Sequence, residues 1–72
     1  MRKTLENELG EFLRRKRGEQ TFAQFSRKVG LPPSTLYRLE TGQQSITLRR
    51  LQQVMDRLKC GLGDIFRGSS LK

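Results

Sequence analysis

At 72 residues the chain is long enough for one small domain with a modest core, and no apolar run approaches the length of a membrane span. Fifteen Lys and Arg residues against seven Asp and Glu give a net charge of +8, which favours a polyanionic partner, most simply nucleic acid. The single cysteine, Cys60, excludes an internal disulfide, and with no signal peptide in sight it favours a reducing, cytoplasmic location.

Side chains that enzymes use for catalysis are scarce in this sequence. It has no histidine, no carboxylate pair at a spacing suited to acid–base chemistry, no glycine-rich phosphate loop and no metal-ligand cluster. We therefore expect a protein that is not an enzyme and that needs no cofactor or metal. Cys60 is expected to be a small buried apolar residue, with a redox role as the alternative.

The first predicted helix begins after Thr4, whose hydroxyl suits an N-cap, and ends in the basic run 14–17 before Gly18. Its buried stripe is expected to contain Leu5, Leu9, Phe12 and Leu13. Cations stabilise a helix C-terminus, but four in a row exceed what an end needs. We therefore expect this run also to face phosphate groups.

A second, shorter helix is predicted from the stretch that follows Thr21. Apolar or small residues recur there at helical spacing, at Phe22, Phe25, Ser26 and Val29. Thr21 and Gln24 form the pattern of a capping box, in which each side chain satisfies a free backbone N–H of the other. Gly30 suits the left-handed conformation that commonly ends a helix.

The third predicted helix begins at Pro33, because a proline at the first helical position loses no hydrogen bond. Leu36 and Leu39 share one side of it, which we expect to face inward. Its other side then points outward and carries Ser34, Tyr37, Arg38 and Thr41. Gly42 closes the helix, so that residues 21 to 42 read as helix, tight turn, helix.

Two further helices are predicted after a loop at residues 42–46. Thr47 should cap the fourth helix, whose apolar face comprises Leu48, Leu51, Val54, Met55 and Leu58. Gly61 should end it or introduce a short fifth helix that carries Leu62, Ile65 and Phe66. Met1 to Lys3 form a short basic start that we expect to fray. Strand alternation is absent from the sequence, so we predict an all-α fold of five helices.

The helix-turn-helix stretch resembles that of the phage-repressor and Cro-like family, also called the Xre family. Matching positions are the small residue, the turn glycine and the two buried leucines, here Ser26, Gly30, Leu36 and Leu39. The segment from Leu39 to Gly42 matches the family's Leu-Glu-x-Gly ending, and the resemblance extends from about Leu9 to Phe66. It implies a repressor-like orthogonal bundle over residues 1–67. The residues 68–72 that follow read as a flexible tail from their own composition.

The resemblance also implies a DNA surface. Base-reading positions on the third helix, about residues 33–41, are Ser34, Tyr37, Arg38 and, by apolar contact alone, Pro33. Arg38 suits a bidentate contact to guanine, and Tyr37 offers its ring to a thymine methyl or its hydroxyl to a phosphate. Phosphate-binding candidates are Arg14, Arg15, Arg17, Thr21, Phe22, Thr41, Gln43, Gln44, Thr47, Arg49 and Arg50. The family often has glutamine where this chain has Phe22 and Pro33.

Two charge placements support these assignments. Glu40 lies at the end of a helix where the macrodipole disfavours an anion, so we expect a compensating cation. The family pattern makes Arg15 that partner, in a structural ion pair. Arg49 and Arg50 lie in the first turn of a helix, the wrong end for cations unless a DNA backbone docks there.

The sequence therefore predicts a DNA-binding transcriptional regulator, specifically a repressor that acts as a homodimer. Candidate dimer residues are Leu62, Ile65 and Phe66, which could equally complete the core of the monomer. One alternative is an antitoxin that binds a toxin protein as well as its own operator. Another is non-specific compaction of RNA or DNA, which would need the charge but not the ordered motif.

Overall fold

The computed structural model describes residues 4–66, and this part of the chain contains five helices and no strand. The helices are α1 (Leu5–Arg17), α2 (Phe22–Val29), α3 (Pro33–Glu40), α4 (Leu48–Leu58) and α5 (Leu62–Ile65). The predicted all-α fold of five helices is confirmed. The predicted basic start at 1–3 and the predicted tail at 68–72 lie outside the described residues.

Threonine hydroxyls cap the N-termini of three of the helices, as the sequence predicts. Thr4 Oγ1 accepts a hydrogen bond from the backbone N–H of Asn7, and Thr47 Oγ1 accepts one from Arg50. Thr21 and Gln24 form the complete capping box, with both reciprocal hydrogen bonds at 3.0 Å. Gly30 ends α2 with φ 77° and ψ 29°, the left-handed conformation that a glycine adopts without strain. Local hydrogen bonds thus fix where these helices begin and end.

A single apolar core lies between the helices. It consists of Leu9, Phe12, Leu13, Phe25, Val29, Leu31, Leu36, Leu39, Leu51, Val54 and Ile65. Leu31 extends it into the turn between α2 and α3, where sequence periodicity gave no sign of a core residue. The prediction that Leu5 and Leu48 are buried is wrong, because their exposed fractions are 45% and 84%. Each is the first residue of its helix, so its side chain lies at the rim of the bundle.

Helix α3 packs against α1 and α2, while α4 packs against α2 and α5 against α1. The backbones of α1 and α3 approach each other closely at Gly10, which a sequence reading treats only as a weak point in a helix. A methyl group added at Gly10 would lie 2.7 Å from the carbonyl oxygens of both Leu39 and Glu40. Gly10 therefore lets the C-terminal end of α3 rest directly on α1.

The three candidate dimer residues, on and next to the short α5, differ in how exposed they are. Ile65 is only 2% exposed and belongs to the core, so it is corrected from a dimer residue to a core residue. Phe66 is half-buried against that core, whereas Leu62 is 56% exposed. Cys60, just before α5, is half-buried with a free thiol, and burial raises the pKa of that thiol.

Candidate nucleic-acid interface

Helix α3 has one buried side and one exposed side. Leu36, Leu39 and Glu40 are buried, while the opposite side exposes Pro33, Ser34, Tyr37, Arg38 and Thr41. Every base-reading candidate is therefore accessible on the outer side of this helix. An arginine and a serine there supply hydrogen-bonding groups, and the tyrosine supplies a ring that is 51% exposed.

A bidentate ion pair with Arg17 compensates the unfavourable position of the Glu40 carboxylate at the C-terminal end of α3. Arg17 Nε donates to Glu40 Oε2 at 2.8 Å, and Arg17 Nη2 donates to Oε1 at 3.1 Å. The side chain of Glu40 is 2% exposed and that of Arg17 is 20% exposed, so the pair is largely removed from water. The hydrogen bond to Glu40 raises the pKa of Arg17, because the carboxylate stabilises the charged guanidinium. This fork geometry fixes the end of α3 to the end of α1.

The predicted partner, Arg15, is therefore wrong, and helix geometry gives the reason. At about 100° per residue, Arg17 lies within about 20° of Gly10, which marks the side of α1 that touches α3. Arg15 is rotated about 140° from Gly10 and is exposed on another side. There it shares a small cleft with Phe12, Lys16 and Asp64, so it faces α5 instead of α3.

The ion pair also limits what Arg17 can offer to a phosphate. A guanidinium has five N–H donors, and three of them are used inside the protein, two on Glu40 and one on the carbonyl of Gln20 at 3.0 Å. Its flat face covers the ring of Phe22, with 4.1 Å from Cζ to the ring centroid. Arg17 is therefore first a structural residue, a role that the basic run in the sequence conceals.

Phe22 links this cluster to the exposed side of α3. Its ring meets the Tyr37 ring edge to face, with centroids 5.8 Å apart and planes at 68°. Such geometry is favourable for two aromatic rings, which carry opposite partial charges on faces and edges. Phe22 has no side-chain donor, so a phosphate contact from it is confined to its backbone N–H. The sequence does not show this contact, because the two rings lie on different helices.

Three threonines near the interface differ in whether their hydroxyl proton is available to a phosphate. Thr21 and Thr47 only accept hydrogen bonds from their helices, so the hydroxyl proton of each is free to point at a phosphate. The hydroxyl of Thr41 instead donates to the carbonyl of Tyr37 at 2.9 Å, with that of Arg38 at 3.3 Å. Since a hydroxyl has one proton, Thr41 would have to leave its helix carbonyls to contact a phosphate.

The loop after α3 is tied back to α1. Ser45 Oγ donates to Glu6 Oε2 at 2.9 Å, and the backbone N–H of Gln43 donates to the carbonyl of Arg38 at 2.9 Å. Hydrogen bonds from its own backbone and from Ser45 hold the pKa of Glu6 below its ordinary value. Gln43 is exposed and Gln44 half-buried on this anchored loop. The loop thus has a defined path between α3 and the N-terminus of α4.

The remaining arginines predicted to contact DNA lie on three helices. Arg14 is exposed near the end of α1, and Arg49 and Arg50 are exposed in the first turn of α4. Arg38 is exposed on α3. No group of histidine, cysteine and acidic residues that could hold a metal ion occurs among residues 4–66. None of the described helices is long and apolar enough to cross a membrane.

Comparison with known protein families gave a match over most of the chain. The family model of the Cro/C1-type helix-turn-helix DNA-binding domain matches residues 8–67. That range takes in α1 from Glu8 onward and the whole of α2 to α5. No curated protein and no solved structure matched the chain.

Proposed function

The chain belongs to the family of Cro/C1-type helix-turn-helix DNA-binding domains, and from this premise we propose that it is a sequence-specific transcriptional repressor. Its recognition element is α3, which enters the major groove while α2 lies across the DNA backbone. The observation that carries this assignment is the two-sided character of α3. Leu36, Leu39 and Glu40 fix its inner side to the scaffold, and its outer side is left to Ser34, Tyr37 and Arg38.

Base recognition and binding of the phosphate backbone are carried out by different residues. Arg38 projects from the middle of the recognition helix, where its fork can bind O6 and N7 of one guanine. Arg49 and Arg50 lie at the N-terminus of α4, where the free N–H groups of a helix end also attract phosphate. Thr21 and Thr47 add hydroxyl protons at the starts of α2 and α4. These four residues hold the backbone and carry no base preference of their own.

Recognition of a full operator requires a second copy of the chain. Helix α3 has eight residues and is about 12 Å long, which covers about three to four base pairs. So short a site does not define one operator in a genome, and two-fold related copies that bind two half-sites one helical turn apart solve this problem. A bound homodimer blocks access to the promoter by steric exclusion, which is the simplest form of repression.

Selection of bound fragments from random duplex DNA tests the proposal. We expect a palindromic consensus with two half-sites about one helical turn apart. Arg38→Ala should relax the preference at one position of each half-site, with a loss of about 1–3 kcal/mol for the preferred base. The matched variant Arg49→Ala should weaken binding to specific and random duplexes alike. It should also lower the slope of log affinity against log salt by about one.

Two results would contradict the proposal. A protein that binds all duplexes with equal affinity would be a non-specific nucleic-acid binder. An Arg38→Ala variant that keeps the full base preference and loses only overall affinity would show that α3 does not read bases. A toxin protein that co-purifies with the chain would favour the antitoxin alternative, and the selected consensus would then be its own operator.

A further inference from the structure

A chain of contacts leads from the end of α3 through two other helices and back to α3. Glu40 binds Arg17 of α1, Arg17 covers the ring of Phe22 of α2, and Phe22 meets the ring of Tyr37 on α3. Tyr37 and Glu40 are three residues apart in the same helix. The route therefore closes through the backbone of α3, and within it Arg17 and Phe22 each contact two of the other side chains.

This arrangement restrains an exposed side chain. A tyrosine that is 51% exposed on a helix surface would ordinarily exchange between rotamers. Phe22 is half-buried, and its face is occupied by a guanidinium at 4.1 Å that is itself fixed by three hydrogen bonds. The edge-to-face contact at 5.8 Å then gives the Tyr37 ring one preferred orientation.

The two rings also have a distinct chemistry. The exposed side of α3 otherwise presents an arginine, a serine, a threonine and, in its first turn, the apolar Pro33, and beside them the two rings form an aromatic surface. In the major groove the apolar feature of a base pair is the 5-methyl group of thymine. Phe22 cannot form a hydrogen bond with a base or a phosphate through its side chain.

We propose that Phe22 is a positioning residue that holds the Tyr37 ring so that the ring contacts the 5-methyl group of one thymine in each half-site. The inference rests on the proposed function and names part of what that function recognises. Tyr37 is, beside Arg38, a specificity-determining residue in direct contact with DNA, and Phe22 acts through Tyr37. The Arg17–Glu40 pair fixes Phe22 in turn.

The test uses the selected consensus duplex with each thymine replaced, one position at a time, by uracil. This replacement removes the methyl group and leaves every hydrogen-bonding group of the base in place. For the wild type we expect about a fourfold loss of affinity at one position per half-site, the value of one buried methyl-sized group. Phe22→Leu should abolish that preference with an unchanged salt slope, and Phe22→Tyr, which keeps the ring, should retain it.

Two further variants separate positioning from folding. Tyr37→Ala should lose the methyl preference, and Gln52→Ala, an exposed uncharged change on α4, should leave it intact. Because the chain has one tyrosine and no tryptophan, the ring resonances of Tyr37 can be followed without ambiguity in the free protein. Phe22→Leu should shift these resonances while thermal unfolding shows a folded chain at the assay temperature.

Different failures have different meanings. The inference is overturned by specific binding that is indifferent to uracil at every position, or by a full methyl preference in Phe22→Leu. Tyr37 resonances that do not move in Phe22→Leu would also overturn it, since the ring contact would then be without effect. If no consensus emerges from the selection, the proposed function itself fails.

Discussion

The guanidinium of Arg17 and the carboxylate of Glu40 meet where the ends of α1 and α3 converge beside the start of α2. An ion pair removed from water stabilises little relative to an apolar pair, but loss of one partner strands the other charge. Glu40 is the more buried partner, so the absence of Arg17 leaves a buried carboxylate without a counter-charge. At the residue scale, Arg17 thus determines whether the end of α3 can remain in place.

Arg17→Ala should lower the free energy of unfolding by about 3–5 kcal/mol, because it leaves a buried carboxylate unpaired. Urea unfolding monitored by circular dichroism measures the change. Arg15→Ala is the matched control, and at an exposed site it should stay within about 0.5 kcal/mol of wild type. Glu40→Gln in the Arg17→Ala background should recover part of the loss. Additive single effects in that double-mutant cycle would contradict the pairing.

Gly10 gives a second prediction at this scale, in which two effects oppose each other. Alanine is the better helix former by about 1 kcal/mol, so propensity alone predicts that Gly10→Ala stabilises the protein. The added methyl would, however, lie 2.7 Å from two backbone oxygens of α3, which cannot rotate away as a side chain can. Overpacking of this kind costs about 1–3 kcal/mol, so we expect net destabilisation.

Gly63→Ala is the control for that substitution. Gly63 is also helical, and a methyl group added there meets no atom within 4 Å. Thermal unfolding should therefore show a melting temperature that falls for Gly10→Ala and stays level or rises for Gly63→Ala. A rise for both variants would mean that α1 and α3 are not in close backbone contact.

At the scale of helices, local chemistry was sufficient to predict where α1 to α4 begin, whereas the start of α5 was left open. The threonine caps, the capping box at Thr21 and Gln24, and the glycine at position 30 act through hydrogen bonds and dihedral angles within a few residues. Such interactions can be read from a sequence because both partners are close along the chain. The outer side of α3 was predictable for the same reason, since the spacing of Leu36 and Leu39 defines the inner side.

What the sequence did not show are contacts between helices. The choice of Arg17 over Arg15 depends on which side of α1 meets α3, and two neighbouring arginines in a basic run look alike. The Phe22–Tyr37 contact spans two helices, and the exposure of Leu5 and Leu48 depends on where the bundle ends. One signal was present in the sequence: Gly10 and Arg17 are seven residues apart and so share one side of α1.

Gln53 of α4 holds the turn of the helix-turn-helix motif. Its Nε2 donates to the carbonyl of Val29 at 3.2 Å and to that of Gly30 at 2.9 Å, the free carbonyls at the end of α2. Gln53→Ala should therefore lower the free energy of unfolding by about 1 kcal/mol. Amide hydrogen exchange should speed up around Gly30 in this variant. Gln52→Ala, one residue earlier and exposed, should change neither quantity.

At the scale of the whole molecule, apolar side chains remain exposed on a highly charged domain. Apart from Tyr37, three large apolar residues are exposed among residues 4–66: Leu5, Leu48 and Leu62. Leu5 and Leu48 line a shallow apolar cleft of about 180 Å³ together with Leu9, Ile46, Leu51 and Phe66. Leu62 begins α5 and is one of the candidate dimer residues predicted from the sequence. Both leucine surfaces are open to a second copy, and substitutions can tell them apart.

We expect Leu62→Ser to weaken self-association at least tenfold, the effect of losing one well-packed apolar anchor of about 1.4 kcal/mol at an interface. Its melting temperature in dilute solution should change little, because Leu62 is 56% exposed. Leu48→Ser is the matched comparison, since Leu48 is also the first residue of a helix and is 84% exposed. Ile65→Ser, by contrast, should unfold the chain, because Ile65 is 2% exposed. Sedimentation equilibrium without DNA measures the association. If Leu48→Ser dissociates the dimer and Leu62→Ser does not, the two copies meet at the cleft beside α4, and the prediction of Leu62 as a dimer residue is wrong.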